Sequence, residues 1–257
     1  MENKLRIALI QTELIWEDPQ SNRTMLENKI KGLANGVDII ILPEMFTTGF
    51  TMNAVSCFET MEGPTLVWLK QMASQLNSAI CGSLIIKDAG CYYNRFVFVE
   101  PMGTVTHYDK RHTFTLAGEN MAYSAGTQKV ILEYKGWKIC PLVCYDLRFP
   151  VWSRNTEDFD LLIYVANWPD QRILAWDTLL RARAIENMAY IIGVNRIGSD
   201  GKNNAYPGHS AVYDAIGETV AYSEKDEVLI CSIHKSESLQ YRKKLRFLQD
   251  RDQFIVK

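Results

Sequence analysis

Two stretches, "VDIIILPE" (37–44) and "DLLIYVAN" (160–167), are continuously apolar over the length of one strand. A strand with one wet face alternates apolar and polar side chains; an unbroken run marks a strand covered on both faces. Amphipathic helical segments lie between such runs. Residues 21–36 carry a stripe of Met25, Leu26, Ile30 and Leu33, with Ser21 or Asn22 as cap and Gly36 as stop. Residues 64–77 begin with a proline, and residues 174–188 form a third helix. Further strands read from "LRIALIQT", "AICGSLIIK", "YYNRFVFVE", "TVTHYDK", "AYIIGVNR", "SAVYD", "ETVAYS" and "EVLICSIH", and "KVILEY" with "WKICPLVC" reads as a hairpin about Lys135–Gly136. Residues 111–127 and the stretch up to His209 read as loops, and a basic, partly helical tail starts at about 235. Alternating strands and helices with hairpins between them predict a layered α/β architecture with a mixed sheet or two sheets. Without linker, low-complexity tract or short repeat, residues 1–257 read as one domain.

Composition narrows the function. The chain is 47% hydrophobic, and 28 Lys and Arg face 30 Asp and Glu, so there is material for a core but no basic field for nucleic acid or anionic lipid. The first twenty residues lack the long apolar core and small-residue cleavage site of a signal peptide, and no run approaches the roughly 18 apolar residues of a membrane span. A cytoplasmic location is the expectation. Six cysteines, at 57, 81, 91, 140, 144 and 231, then read as thiols. In a strand Cys140 and Cys144 would stand about 13 Å apart, beyond the roughly 7 Å that a disulfide spans. With no CxxC and no HxxxH, nothing suggests a zinc site, and no cofactor is implied.

Three strands end in reactive side chains: "VDIIILPE" at Glu44, "TVTHYDK" at Lys110 and "WKICPLVC" at Cys144. Singly, each has an ordinary reading: a solvated carboxylate, a surface cation, a packed thiol. In α/β sheets, however, ligands collect at the carboxyl ends of strands. If these strands are neighbours, a base, a cation and a nucleophile meet. A thiol of pKa near 8.5 is only ~3% thiolate at neutral pH, so an adjacent carboxylate that takes its proton during attack is useful. A lysine and the backbone N–H of Tyr145 would stabilise an oxyanion. A Cys–His arrangement is the rival. His112 is expected to pack or hydrogen-bond beneath the lysine loop, His209 is ambiguous, and neither sits at a strand end beside an acid.

"LPEMFTTGF", "YDKRHTF" and "LVCYDLRFPVWSR" resemble, in order, the three signature segments of the nitrilase superfamily, the carbon–nitrogen hydrolases. The stretch after the cysteine is similar too, so the likeness runs from Leu5 to about His234. It implies a four-layer αββα sandwich with two mixed β-sheets, paired into a homodimer. It assigns Glu44 as general base, Lys110 as stabiliser of the intermediate and Cys144 as nucleophile. It also implies a second glutamate after the lysine, for which Glu119 is the match; a plain surface-loop carboxylate is the alternative.

"DKRHTF", "CYDLRFP" and "ANWP" most resemble the omega-amidase branch, which releases ammonia from monoamides such as 2-oxoglutaramate and 2-oxosuccinamate. A substrate with a free carboxylate needs a cation. Arg148 is the candidate, with a salt bridge to Asp146 as its competing role. Asn167, Trp168, Phe46, Phe114 and Tyr145 are candidate pocket residues, although Trp168 would also serve to cap the core. Hydrolysis of N-carbamoyl amino acids is the nearest alternative, and a non-catalytic small-molecule or partner-binding protein on this fold is the alternative of another class.

Overall fold

The computed structural model describes residues 4–33 and 36–256. In chain order the elements are β1 (Lys4–Gln11), α1 (Pro19–Lys31), β2 (Ile39–Ile41), α2 (Ala54–Cys57), α3 (Pro64–Leu76), β3 (Ala79–Asp88), β4 (Cys91–Val99), β5 (Val105–Asp109), α4 (Glu119–Ala122), β6 (Leu132–Tyr134) and β7 (Trp137–Val143). After these come α5 (Pro150–Ser153), β8 (Leu161–Val165), α6 (Ile173–Asn187), β9 (Tyr190–Val194), β10 (Ile197–Ser199), β11 (Ala205–Pro207), β12 (Ser210–Tyr213), β13 (Thr219–Ser223), β14 (Glu227–His234) and α7 (Lys235–Leu245).

Two six-stranded sheets form, in the orders β14-β1-β2-β3-β4-β5 and β13-β12-β9-β8-β7-β6. Each has a parallel centre, β1–β2–β3 in one and β7–β8–β9 in the other, with antiparallel strands on both flanks. The period of two along β1 explains the layering. Leu5, Ile7 and Leu9 enter the core between the sheets, where Ile39, Phe98, Ile139, Ile163 and Ile191 also lie; Ala8 and Ile10 turn the other way, onto Leu26, Ile30, Leu66 and Leu69 of α1 and α3. Helix α6 covers the second sheet, so the layers run αββα, as the resemblance implies.

Several boundaries differ from the sequence reading. Helix α1 starts two residues earlier: Pro19 occupies its first turn and the Asp18 side chain accepts from the Ser21 N–H. Asn22, expected as a cap, is buried and bonds instead to backbone at Ile15 and Thr47. The helix ends at Gly32, not Gly36; residues 34–35 lie outside the described residues. Strand β2 stops at Ile41, because Pro43 has no N–H to continue a ladder. The loop before His209 contains the small β10–β11 pair, and residues 111–127 contain α4.

Helix α6 approaches β9 closely because position 193 is glycine. A Cβ there would lie 2.4 Å from Leu180 Cδ1 and 2.7 Å from Trp176 Cζ2. Gly193→Ala should therefore destabilise the fold by about 1–3 kcal/mol through overpacking. Urea unfolding should show a lower midpoint at unchanged slope.

Candidate active site

Three turns bring the predicted residues together. Glu44 lies in the turn after β2, whose next residues are pinned to β3 by Met45 N–H to Ser83 Oγ at 2.9 Å and Phe46 N–H to Ser83 O at 3.2 Å. Lys110 follows β5, its N–H donating to Asn94 O at 3.0 Å. Cys144 opens a single 3₁₀ turn directly after β7.

Lys110 Nζ donates to Glu44 Oε1 at 3.0 Å and to Glu119 Oε2 at 2.9 Å. Asn94 Nδ2 bridges the same two carboxylates at 2.7 and 3.2 Å. Glu44 Oε2 accepts from the Asn167 backbone N–H at 2.8 Å, and Phe114 N–H donates to Glu119. Lys110, Glu44 and Glu119 are all shut off from solvent. Glu119 is thus no surface-loop carboxylate. Asn94, absent from the sequence candidates, had left a signal: it is a polar residue inside the apolar strand "YYNRFVFVE".

Burial and the two glutamates beside Lys110 together set the state of the thiol. Burial drives the Cys144 pKa well above the ordinary thiol value, Glu44 adds to the rise both by its charge and by taking the thiol as a hydrogen-bond donor, and Lys110 opposes them. Burial pulls the Lys110 ammonium down, but Glu119, Glu44 and Cys144 outweigh it and hold lysine protonated. Burial and Glu44 push Glu119 up, against the pull of Lys110. Cys144 is therefore held as the thiol and Lys110 as the ammonium, with the thiol's proton directed at Glu44.

The turn that carries Cys144 is strained. Cys144 has φ +45°, in the left-handed region that a non-glycine residue adopts only when its surroundings force it. Asp146 supplies the force. Fully buried, it accepts from Val143 N–H at 3.1 Å, Tyr108 O–H at 2.8 Å, and the N–H and Nδ1 of His112 at 3.0 and 2.7 Å. The His112 imidazole also stacks on Phe149 at 3.6 Å. His112 thus ties the lysine loop to the nucleophile turn, the structural part expected of it. His209 pairs with Asp177, outside the cavity wall. As the second residue of the 3₁₀ turn, Tyr145 has a backbone N–H with no partner inside the turn.

Cys144 opens into a cavity of about 190 Å³. Tyr145, Arg148, Asn167, Trp168 and Phe114 line it, as the sequence suggested. Phe46 does not: it is wholly buried in the helix-side core against Trp68, close under Gly82. Phe50, four residues on, takes the wall and faces the Lys110 ammonium at 5.2 Å. Trp168 is both wall and core, being buried against Trp176. With Asp146 engaged elsewhere, Arg148 makes no salt bridge to it; its guanidinium carbon lies over the Trp168 ring, 5.0 Å from the centroid. Asn167 Nδ2 is fixed by Glu44 O at 2.6 Å, while its buried Oδ1 has no partner among the described residues. Arg172, Asn204 and Tyr206, with Leu116, Ala117 and Pro169, complete the wall without having been singled out in the sequence.

Residues 6–243 match the model of the carbon-nitrogen hydrolase family. The chain is 45% identical over 252 residues to the omega-amidase YafV of Escherichia coli strain K12, covering 97% of this chain and 98% of that protein. It is 30% identical to the 2-oxoglutaramate amidase of Bacillus subtilis, covering 96% and 97%. Among solved structures, XC1258 of Xanthomonas campestris, a CN-hydrolase superfamily protein with an arsenic adduct in its active site, superposes with a TM-score of 0.97 at 41% identity and full coverage of both chains.

Since Glu44 raises the thiol pKa, Glu44→Gln should lower it. The pH midpoint for alkylation of Cys144 by iodoacetamide should fall by about one unit or more, as expected on removing a like charge at contact distance. Peptide mapping of the alkylated cysteines checks this, and an upward shift would contradict the electrostatic arrangement.

Proposed function

The chain belongs to the carbon–nitrogen hydrolase family, and on that premise we propose that Cys144 cleaves the terminal amide of small dicarboxylic monoamides, of 2-oxoglutaramate or 2-oxosuccinamate type, releasing ammonia. One observation carries the reading: the cavity lined by Cys144, whose thiol meets the buried Glu44–Lys110 pair, also has on its wall the guanidinium of Arg148, with no acidic partner among the described residues. The omega-amidase and 2-oxoglutaramate amidase relatives support the same substrate class.

The cycle starts from the Cys144 thiol beside Glu44. Cys144 sulfur attacks the amide carbon as Glu44 takes the thiol proton. The carbonyl oxygen becomes an oxyanion facing the Lys110 ammonium and the Tyr145 N–H; one such donor is worth about 3 kcal/mol of barrier. Glu44 passes the proton to the nitrogen, the C–N bond breaks, ammonia leaves and an acyl-thioester remains. Glu44 then takes a proton from water, the hydroxyl adds to the thioester carbon, and the proton returns to sulfur as the acid departs. Glu119 keeps Lys110 charged and in place throughout. Asn167 Oδ1, unpartnered and with its amide orientation fixed by Glu44 O, accepts from the substrate's N–H, a preference for amides over esters.

We extend the proposal to a homodimer acting in the cytoplasm. Leu174 and Ile185 are exposed on one face of α6, and Val151 is exposed on α5, which suits a subunit contact. Free cysteines suit a reducing compartment. Among the described residues no helix is long and apolar enough to cross a membrane.

Cys144→Ala should abolish ammonia release from 2-oxoglutaramate while the protein stays folded by circular dichroism; retained turnover would remove the nucleophile. Arg148→Ala should raise KM for this substrate roughly tenfold or more, the worth of a hydrogen-bonded charge pair. Steady-state ammonia assays check both.

A further inference from the structure

The cavity wall carries two arginines, Arg148 and Arg172, and no aspartate or glutamate. Neither guanidinium is in an ion pair among the described residues. Each is held by an aromatic ring instead: Arg148 by Trp168 at 5.0 Å and Arg172 by Phe114 at 5.2 Å. Trp168 couples the two, since its Nε1–H donates to the Arg172 carbonyl at 2.8 Å. Asp170, two residues from Arg172 and exposed, leaves it unpaired. The third cation near the cavity, Lys110, is already neutralised by Glu44 and Glu119.

Two like charges on one small, largely apolar cavity disfavour each other until an anion joins them. A cation over a ring face is held there without using up its N–H donors, which remain for a ligand. A carboxylate beside a 2-oxo group presents three acceptor oxygens, more than one two-pronged guanidinium can satisfy.

We propose that Arg172 is a second carboxylate-binding residue, forming with Arg148 a two-guanidinium clamp for the acid end of a 2-oxo acid monoamide. The inference rests on the amidase reading and adds a specificity residue to it. The clamp works at the end of the substrate remote from the thiol, so it selects and orients rather than taking part in bond changes. It acts on binding of the acid end, and KM is where its loss appears.

The test compares 2-oxoglutaramate with pentanamide, a neutral amide of the same chain length, in the parent, Arg172→Gln, Arg148→Gln and the double variant. Glutamine keeps a flat polar group over Phe114, and thermal melts check folding. In Arg172→Gln the ratio of kcat/KM for the acid over the neutral amide should drop about tenfold or more, mainly through KM. The inhibition constant of glutarate, a dicarboxylate without an amide, should rise in parallel. The double variant should lose less than the sum of the two singles, because both arginines share one ligand charge. An unchanged ratio, or equal losses on both amides, would overturn the clamp and leave Arg172 a packing residue. If the parent itself shows no preference for 2-oxoglutaramate over pentanamide, the substrate proposal fails instead, whatever Arg172 does.

Discussion

A protonated lysine shut away from water between two carboxylates is the constraint on which the rest of this molecule depends. Removing three charges from solvent costs several kcal/mol per ion, and only close geometry with satisfied hydrogen bonds offsets it. Lys110 finds that geometry at 3.0 Å from Glu44 and 2.9 Å from Glu119, with Asn94 bridging the acids. The four residues come from the β2 turn, the end of β5, the start of α4 and the middle of β4. A slip in any of these would strand a buried charge. The first sheet is thereby committed to the register that makes the site.

The second sheet answers with the thiol. Its strand β7 delivers Cys144 into a left-handed turn, and Asp146 stabilises that turn while also gripping Tyr108 and His112 from the first sheet's side. One buried carboxylate thus links the strained sulfur-bearing turn to the lysine loop. Together the two sheets put the thiol's proton next to Glu44. In the proposed cycle no free thiolate is needed, because proton transfer and attack occur in one step.

Charge is distributed unevenly about the cavity. The buried Lys110 charge behind Cys144 is balanced within the protein, whereas the two wall arginines have no acidic partner among the described residues. Under the proposed function, that imbalance suits the site to an anionic amide. The aromatic walls, Phe114 and Trp168, each lie under an arginine at 5.2 and 5.0 Å.

The amino-acid sequence by itself determined the layer plan, because period-two and period-3.6 patterns record which faces are covered, and it singled out Glu44, Lys110 and Cys144, which the fold brings together, because each follows a strand and sits in a signature segment. It also marked Glu119 and the structural part of His112. It misplaced the cap and end of α1, since Asp18 and Gly32 compete with equally suitable neighbours. It chose Phe46 over Phe50, because in a turn of this kind only the fold decides which ring meets the core. Arg172 and Tyr206 enter the site from segments with no local mark of function. Whether Arg148 pairs with Asp146 or faces the cavity was likewise decided in three dimensions: Tyr108 and His112, brought by another strand, had already filled the aspartate's lone pairs. Local patterns follow from each residue's neighbours in the chain, whereas pairing among buried charges follows from which distant groups compete for the same oxygen.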